Sequence, residues 1–247
     1  MPSSTSPKPT YLILLPPSEG KAEGGATKSA WKPSSGTFGR QLGDQRTDIA
    51  QRLARIKGGD STLLGVKGDL LVRATAANRA LVGAPTLPAW QRYTGVVWDH
   101  LDLASLPQAS RTSATKRIFV PSGMAGLIRA DDPLPDYRLK MGARLAPVGV
   151  MASWWRDDLT DAFVSHVGKT LVIDLLPNEH KAAFNWDTIA NVVRVDLVSK
   201  KGAVVGGHNA KAAKGLLARH LLQSGSTPLT KTLSSYSHPD YVAKESP

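Results

Sequence analysis

The chain has 247 residues, with 31 Lys+Arg against 20 Asp+Glu, a formal net charge of +11, and no cysteine. That length supports a sizeable core in one or two domains. The missing thiols exclude disulfides, thiolate-held iron–sulfur clusters and thiol redox chemistry, and the cationic excess favours an anionic partner: nucleic acid, nucleotide or acidic membrane.

Residues 1–10 (MPSSTSPKPT) read as a disordered Ser/Pro tail. The apolar run that follows, Tyr11 to Leu15, is too short for a signal-peptide core or a membrane span, and no longer one follows. A cytoplasmic protein without membrane contact is expected. The run suits a strand buried on both faces. It ends in Pro16-Pro17-Ser18-Glu19-Gly20-Lys21, a turn at a strand's C-terminal end, where α/β sheets hold ligands. The Gly-Lys pair lacks the remaining residues of a P-loop, so the turn is either a weak anion site or an ordinary polar turn. Residues 22–39 have little periodicity and read as a mobile loop. Ile49, Leu53 and Ile56 give helical spacing over 47–57.

The segment LLGVKGDLL (63–71) resembles the hairpin of a helix-hairpin-helix element. Gly65 and Gly68 would let backbone N–H groups approach a phosphate, and Lys67 would add charge. A second helix is expected over 69–81. A glycine-capped corner between two helices is the competing reading. Trp90, Tyr93 and Trp98 are expected to pack core or a cleft rim, while Asp99 and His100, adjacent in sequence, are not expected to face one another.

The stretch 118–144, IFVPSGMAGLIRADDPLPDYRLKMGAR, organises the rest. Ile118–Val120 reads as a short buried strand, broken at Pro121-Ser122-Gly123 and followed by an apolar turn over 124–128. Tyr137-Arg138-Leu139-Lys140-Met141 alternates as a half-buried strand does. Arg138 and Lys140 then share a face and need an anion nearby. Either Asp131, Asp132 or Asp136 supplies it, or a bound phosphate or nucleic-acid backbone does.

Residues 152–167 form an amphipathic helical pattern, and Leu171–Leu176 a second buried strand. In Pro177-Asn178-Glu179-His180-Lys181, Asn178 suits an N-cap. Glu179 and His180 are acid/base candidates, with capping and surface roles as the alternative. Residues 191–198 read as a strand in a hairpin with 202–205. Asn209 is expected to cap a helix with Ala213, Leu216, Leu217 and Leu221 on its apolar face. Lys211 and Lys214 lie in its first turns, where positive charge costs about 0.3–1 kcal/mol. Such a cost is expected where a site receives an anion. Residues 223–247 read as a loosely held Ser/Thr/Pro-rich tail. His208, His220 and His238 fit no metal-ligand spacing, so no metal or cofactor is expected and iron has no convincing ligand set. No Gly-x-Ser-x-Gly is present.

Six stretches in order carry a resemblance: YLILLPPSEGK, YTGVVWDHLD, PSGMAGLIRADDPLPDYRLKMGARL, WWRDDLTDAF, LVIDLLPNEHKAAF and HNAKAAKGLLARHLL. Together they resemble the YaaA family, the peroxide-stress proteins of bacteria, from Tyr11 to Leu222. The turn PPSEGK departs from the SPAKT-like turn of much of that family, and 22–60 matches poorly. The resemblance implies one mixed α/β (α+β) domain over 11–222, with helices flanking a mixed sheet, a helix-hairpin-helix-like element and a basic cleft. It implies double-stranded DNA as partner and a role in limiting oxidative damage from peroxide and iron. By position, Gly65, Lys67, Gly68, Arg138, Lys140, Arg144, Lys211 and Lys214 would hold phosphate. The alternative is an enzyme acting on a nucleotide or nucleobase. There the Lys/Arg groups would bind phosphate and Glu179, His180 or His208 would move protons.

Overall fold

Tyr11–Leu14 (β1) is apolar at every position, as a strand covered on both faces must be, and it lies inside a six-stranded sheet. The structure, a computed structural model, describes residues 11–200 and 206–246. The other strands are Ile118–Ser122 (β2), Gly126–Arg129 (β3), Leu171–Asp174 (β4), Val192–Ser199 (β5) and Tyr241–Ser246 (β6). Their order is β6-β5-β4-β1-β2-β3. The inner four run parallel, and β3 and β6 close the two edges antiparallel. β1 leads to β2 on one side, whereas β4 leads to β5 on the other. The loops after β1 and β4 therefore diverge at the carboxyl ends of the strands, a topological switch point.

Ten α-helices complete the described fold: Gly39–Arg55 (α1), Ser61–Leu64 (α2), Gly68–Arg79 (α3), Ala89–Arg92 (α4), Val96–Leu101 (α5), Gln108–Thr115 (α6), Met151–Val167 (α7), Asn178–Lys181 (α8), Gly207–Gln223 (α9) and Leu229–Ser235 (α10). The fold is thus a mixed α+β domain. Helix α7 buries Met151, Ala152, Trp155, Leu159, Ala162, Phe163 and Val167, the stripe its spacing dictates. Each large side chain so buried contributes about 1.5–3 kcal/mol. Phe119 on β2 meets Phe38 and Phe163 edge-on, at centroid distances of 5.9 and 5.8 Å. Helix α9 packs on β5 and β6 and against α5. Gly215 permits that approach, since a Cβ there would lie 2.3 Å from the Val97 carbonyl oxygen.

Several expectations need correction. Residues 22–39 are tied down rather than mobile: Trp31 is 1% exposed, and Ala26 bridges to Thr86. The helix expected over 47–57 begins at Gly39, and the one over 69–81 runs Gly68–Arg79. β2 continues through Pro121 to Ser122 and turns tightly into β3, so most of 124–128 is hairpin. Asn178 is the first residue of α8 and makes no capping bond, and Gly206, not Asn209, precedes α9. The amide of Asn209 instead donates to Asp240 Oδ2. Leu216 is exposed rather than part of the buried stripe. The residues beyond 222 are not loosely held: they form α10 and β6, and β6 pairs with β5 from Ser199 to Arg194. The expected 202–205 hairpin partner and the tail 1–10 lie outside the described residues.

Candidate functional site

The loop after β1 brings Glu19 to this switch point, where two cations meet its carboxylate. Glu19 Oε2 accepts from Arg138 Nη2 at 2.5 Å, and Oε1 lies 2.7 Å from Lys140 Nζ. Desolvation alone would raise the Glu19 pKa. The Lys140 and Arg138 contacts outweigh it and hold the carboxyl below its ordinary value. The partner of the Arg138/Lys140 pair is therefore Glu19. Asp131 pairs with Arg129, Asp136 with Arg73, and Asp132 accepts from Thr37 and from the Arg129 N–H.

Two residues on, Lys21 turns under the same loop. Its ammonium donates to the Ser18 carbonyl at 3.0 Å and sits 4.1 Å from the ring centroid of Tyr137 and 5.6 Å from that of Tyr93. The residue as a whole is half-buried, but its charged end is desolvated, and this pushes its pKa down to about 7. Asp136 and Glu19 resist the shift, while Arg138 and Arg73 reinforce it. The Tyr137 hydroxyl is bonded to Tyr93 Oη at 2.9 Å and to Ser122 Oγ at 2.8 Å. Burial pushes the Tyr137 phenol up to about 12 and raises that of Tyr93 well above its ordinary value, so both stay neutral.

The segment 137–141 keeps the expected alternation, with Tyr137, Leu139 and Met141 buried and Arg138 and Lys140 half-buried, yet it belongs to no sheet. Buried Asn78 on α3 takes the place of a neighbouring strand. Its Oδ1 accepts from the Arg138 N–H at 2.8 Å and its Nδ2 donates to the Arg138 carbonyl at 2.8 Å. Arg138 Nε also donates to the Leu64 carbonyl at 2.9 Å, which ties it to the end of α2. There the chain reverses at Gly65, whose φ of +63° is left-handed and favours glycine. A Cβ on Gly65 would lie 3.6 Å from Lys140 Nζ, so the Gly65–Gly68 corner borders the paired cations. Lys67, between the two glycines, is exposed. The element is a corner between a single-turn helix and α3.

The loop after β4 supplies the opposite wall. Asp174, the last residue of β4, is buried; its Oδ1 accepts from the Leu176 N–H at 2.8 Å. Lys181 Nζ stands 3.6 Å and Arg194 Nε 3.9 Å from its Oδ2. Desolvation raises the Asp174 pKa despite those partners. Lys214 on α9 donates to the Leu175 carbonyl at 2.6 Å, and burial lowers its pKa against the pull of Asp174. The His180 pKa is lowered by burial and by Lys214, with Glu179 and Glu19 opposing, and its Nδ1 is buried without a hydrogen-bond partner. Glu179 Oε1 accepts from the Gly142 N–H at 2.8 Å, clasping this loop to the segment that carries Lys140.

Most of the expected residues thus gather at the carboxyl ends of β1 and β4. Arg138, Lys140 and the Gly65–Gly68 corner lie on the β1 side, and Glu179, His180 and Lys214 on the β4 side. Lys211, one turn before Lys214, is exposed, as is Arg144 two residues beyond Gly142. His208 is exposed at the start of α9. His100 bonds to Val96 O rather than to Asp99. Sequence reasoning passed over Asp174 and Tyr137. A single carboxylate closing an otherwise apolar strand, LVID, was the available signal for the first. Nothing in the spacing marked Tyr137 as the wall against Lys21. Among the described residues no group of three or more His, Asp or Glu is placed to hold a metal ion, and no helix is long and apolar enough to cross a membrane.

Comparison with known proteins agrees with the order of these segments. A UPF0246 protein of Streptomyces coelicolor is 34% identical over 223 residues, covering 88% of this chain and 85% of its own. A UPF0246 protein of Corynebacterium efficiens is 36% identical over 219 residues, 86% of this chain and 85% of its own. One from Corynebacterium glutamicum is 34% identical over 218 residues, with the same coverages of 86% and 85%. The family described as peroxide stress protein YaaA matches residues 11–246, and so takes in α10 and β6. The chain belongs to the YaaA family of peroxide stress proteins.

Proposed function

We propose that this chain binds double-stranded DNA through its backbone phosphates at the carboxyl ends of β1 and β4, and that it thereby helps limit DNA damage by peroxide and iron. The observation that carries this reading is the convergence of Arg138 and Lys140 on one anionic group beside the Gly65–Gly68 corner. A phosphate oxygen has the charge and size to take the place of the Glu19 carboxylate between them. Lys67, Arg144 and Lys211 are exposed and add positive charge to the surface. Contacts of this kind hold DNA without reading its sequence. The family's description as peroxide stress proteins supplies the setting.

The test uses Lys67→Glu combined with Lys211→Glu, two exposed sites whose exchange leaves the core intact. Lys214 is a poorer choice because it is tied to the Leu175 carbonyl. The double variant should bind duplex DNA at least about tenfold more weakly at low salt, equally for unrelated sequences. Unchanged affinity in the folded variant overturns this placement.

A second reading, an enzyme handling a nucleotide, is favoured by the opposed pKa shifts of Asp174, His180 and Lys214 at one strand end. Saturable binding of a single mononucleotide would support it, and the absence of binding at millimolar concentration would remove it.

A further inference from the structure

Lys21 stands apart from Arg138, Lys140 and the other cations of this site. Both carboxylates that face it are already engaged: Asp136 holds Arg73 at 2.9 Å, and Glu19 holds Arg138 and Lys140. Among the described residues no carboxylate lies within ion-pair distance of its ammonium. Its backbone is fixed, since the Lys21 carbonyl accepts from Arg73 Nη2 at 2.8 Å and residues 20–21 pair with 93–94. Its Nζ lies against the rings of Tyr137 and Tyr93, at the carboxyl end of β1. An amine without a carboxylate clamp, held against an aromatic wall, is the form in which lysine acts as a nucleophile toward carbonyl carbon. The cations next to it, Arg138 and Lys140, suit a phosphate carried by the same molecule.

We propose that Lys21 is the nucleophile of a Schiff-base site for phosphate-bearing aldehydes, which are either an abasic deoxyribose in DNA or a free phosphorylated aldehyde. The proposal rests on phosphate binding at Arg138 and Lys140. An abasic sugar fits because its opened form exposes an aldehyde at C1′ between two backbone phosphates. In the reaction the Nζ lone pair adds to the aldehyde carbon, and the carbonyl oxygen takes the proton that nitrogen gives up. The nitrogen lone pair of this carbinolamine then expels the hydroxyl group, which leaves as water with a proton from solvent. The net change is amine plus aldehyde plus one proton to iminium plus water. The charged and titratable groups facing Lys21 are Glu19, Arg73, Tyr93, Asp136, Tyr137 and Arg138. The amine is half neutral near pH 7, against under a thousandth for an ordinary surface lysine.

The experiment is reductive trapping of the full chain at pH 7 with sodium cyanoborohydride. One arm contains duplex DNA with a single abasic site and a second contains pyridoxal phosphate; intact duplex serves as control. Peptide mass mapping should place the adduct on Lys21 in one arm or both, and the arm that reacts identifies the source of the aldehyde. Lys21→Arg should lose at least about tenfold of the adduct while binding intact duplex as the wild type does. An adduct spread over surface lysines, or an absent one, overturns the inference. Mapping on the wild-type chain distinguishes these outcomes even if the variant fails to fold. Intact-duplex binding without trapping defeats this inference alone, whereas loss of duplex binding defeats the DNA reading.

Discussion

Glu19 and Lys21 show how two residues in one turn acquire opposite electrostatic fates. Glu19 stays charged because two cations repay its desolvation, whereas Lys21 finds its potential partners already taken. For Lys21 the folded pKa lies near 7 and the unfolded value near 10.5. Between those values the unfolded chain binds more protons, so this residue makes stability rise with pH from about 7 to about 10. Urea denaturation of the wild type and of Lys21→Met across that range should show the wild type gaining stability relative to the variant. Parallel profiles would mean that Lys21 is not desolvated. Glu19→Gln removes the anion held between Arg138 and Lys140, so duplex affinity should rise by about three- to tenfold at low salt. A fall in affinity would show that Glu19 is needed to position those cations. Asn78 is the structural counterpart: Asn78→Leu orphans the backbone N–H and C=O of Arg138 and should cost at least about 2 kcal/mol in chemical denaturation.

Among the elements, the single-turn helix α2 depends on its ends. Asp60 Oδ1 accepts from the Leu63 N–H at 2.8 Å at one end, and Gly65 closes the other. Asp60→Ala should lower stability by about 1 kcal/mol and weaken duplex binding, because the corner beside Lys140 loosens. A stability loss with unchanged binding would separate this corner from the site. The glycine spacing at 65 and 68 was legible in the chain because left-handed turns restrict residue choice. The first helix was not, since four residues carry no period. The alternation at 137–141 gave the buried and exposed faces correctly but misled on pairing. Alternation reports which side chains are covered and says nothing of the group that satisfies the backbone, which here is the Asn78 side chain. The edge strand β6 was hidden for a related reason. Its sequence, YVAKES, is polar because an edge strand is half solvated, and its pairing comes from the distant β5.

At the scale of the whole molecule, the divergence of the loops after β1 and β4 decides where chemistry can occur. A sheet order in which β1 and β4 lead away from one another separates the loops at their carboxyl ends. Charged residues of four separate segments, and the Gly65 corner, collect there. Sequence order alone does not reveal that convergence, because residues 19, 65, 140, 179 and 214 are neighbours only after the sheet has formed. The net charge of +11 gives the molecule a positive field that favours association with a polyanion. The most direct test is a fluorescence-anisotropy titration of labelled duplex DNA over a series of salt concentrations, with mononucleotides as competitors. Backbone-phosphate binding predicts a log–log slope of about −0.9 per phosphate neutralised, hence about −3.6 or steeper if Arg138, Lys140 and two or more exposed lysines take part, with no displacement by millimolar mononucleotide. Binding that ignores salt, or a complex dissolved by one mononucleotide and not by others, would contradict it.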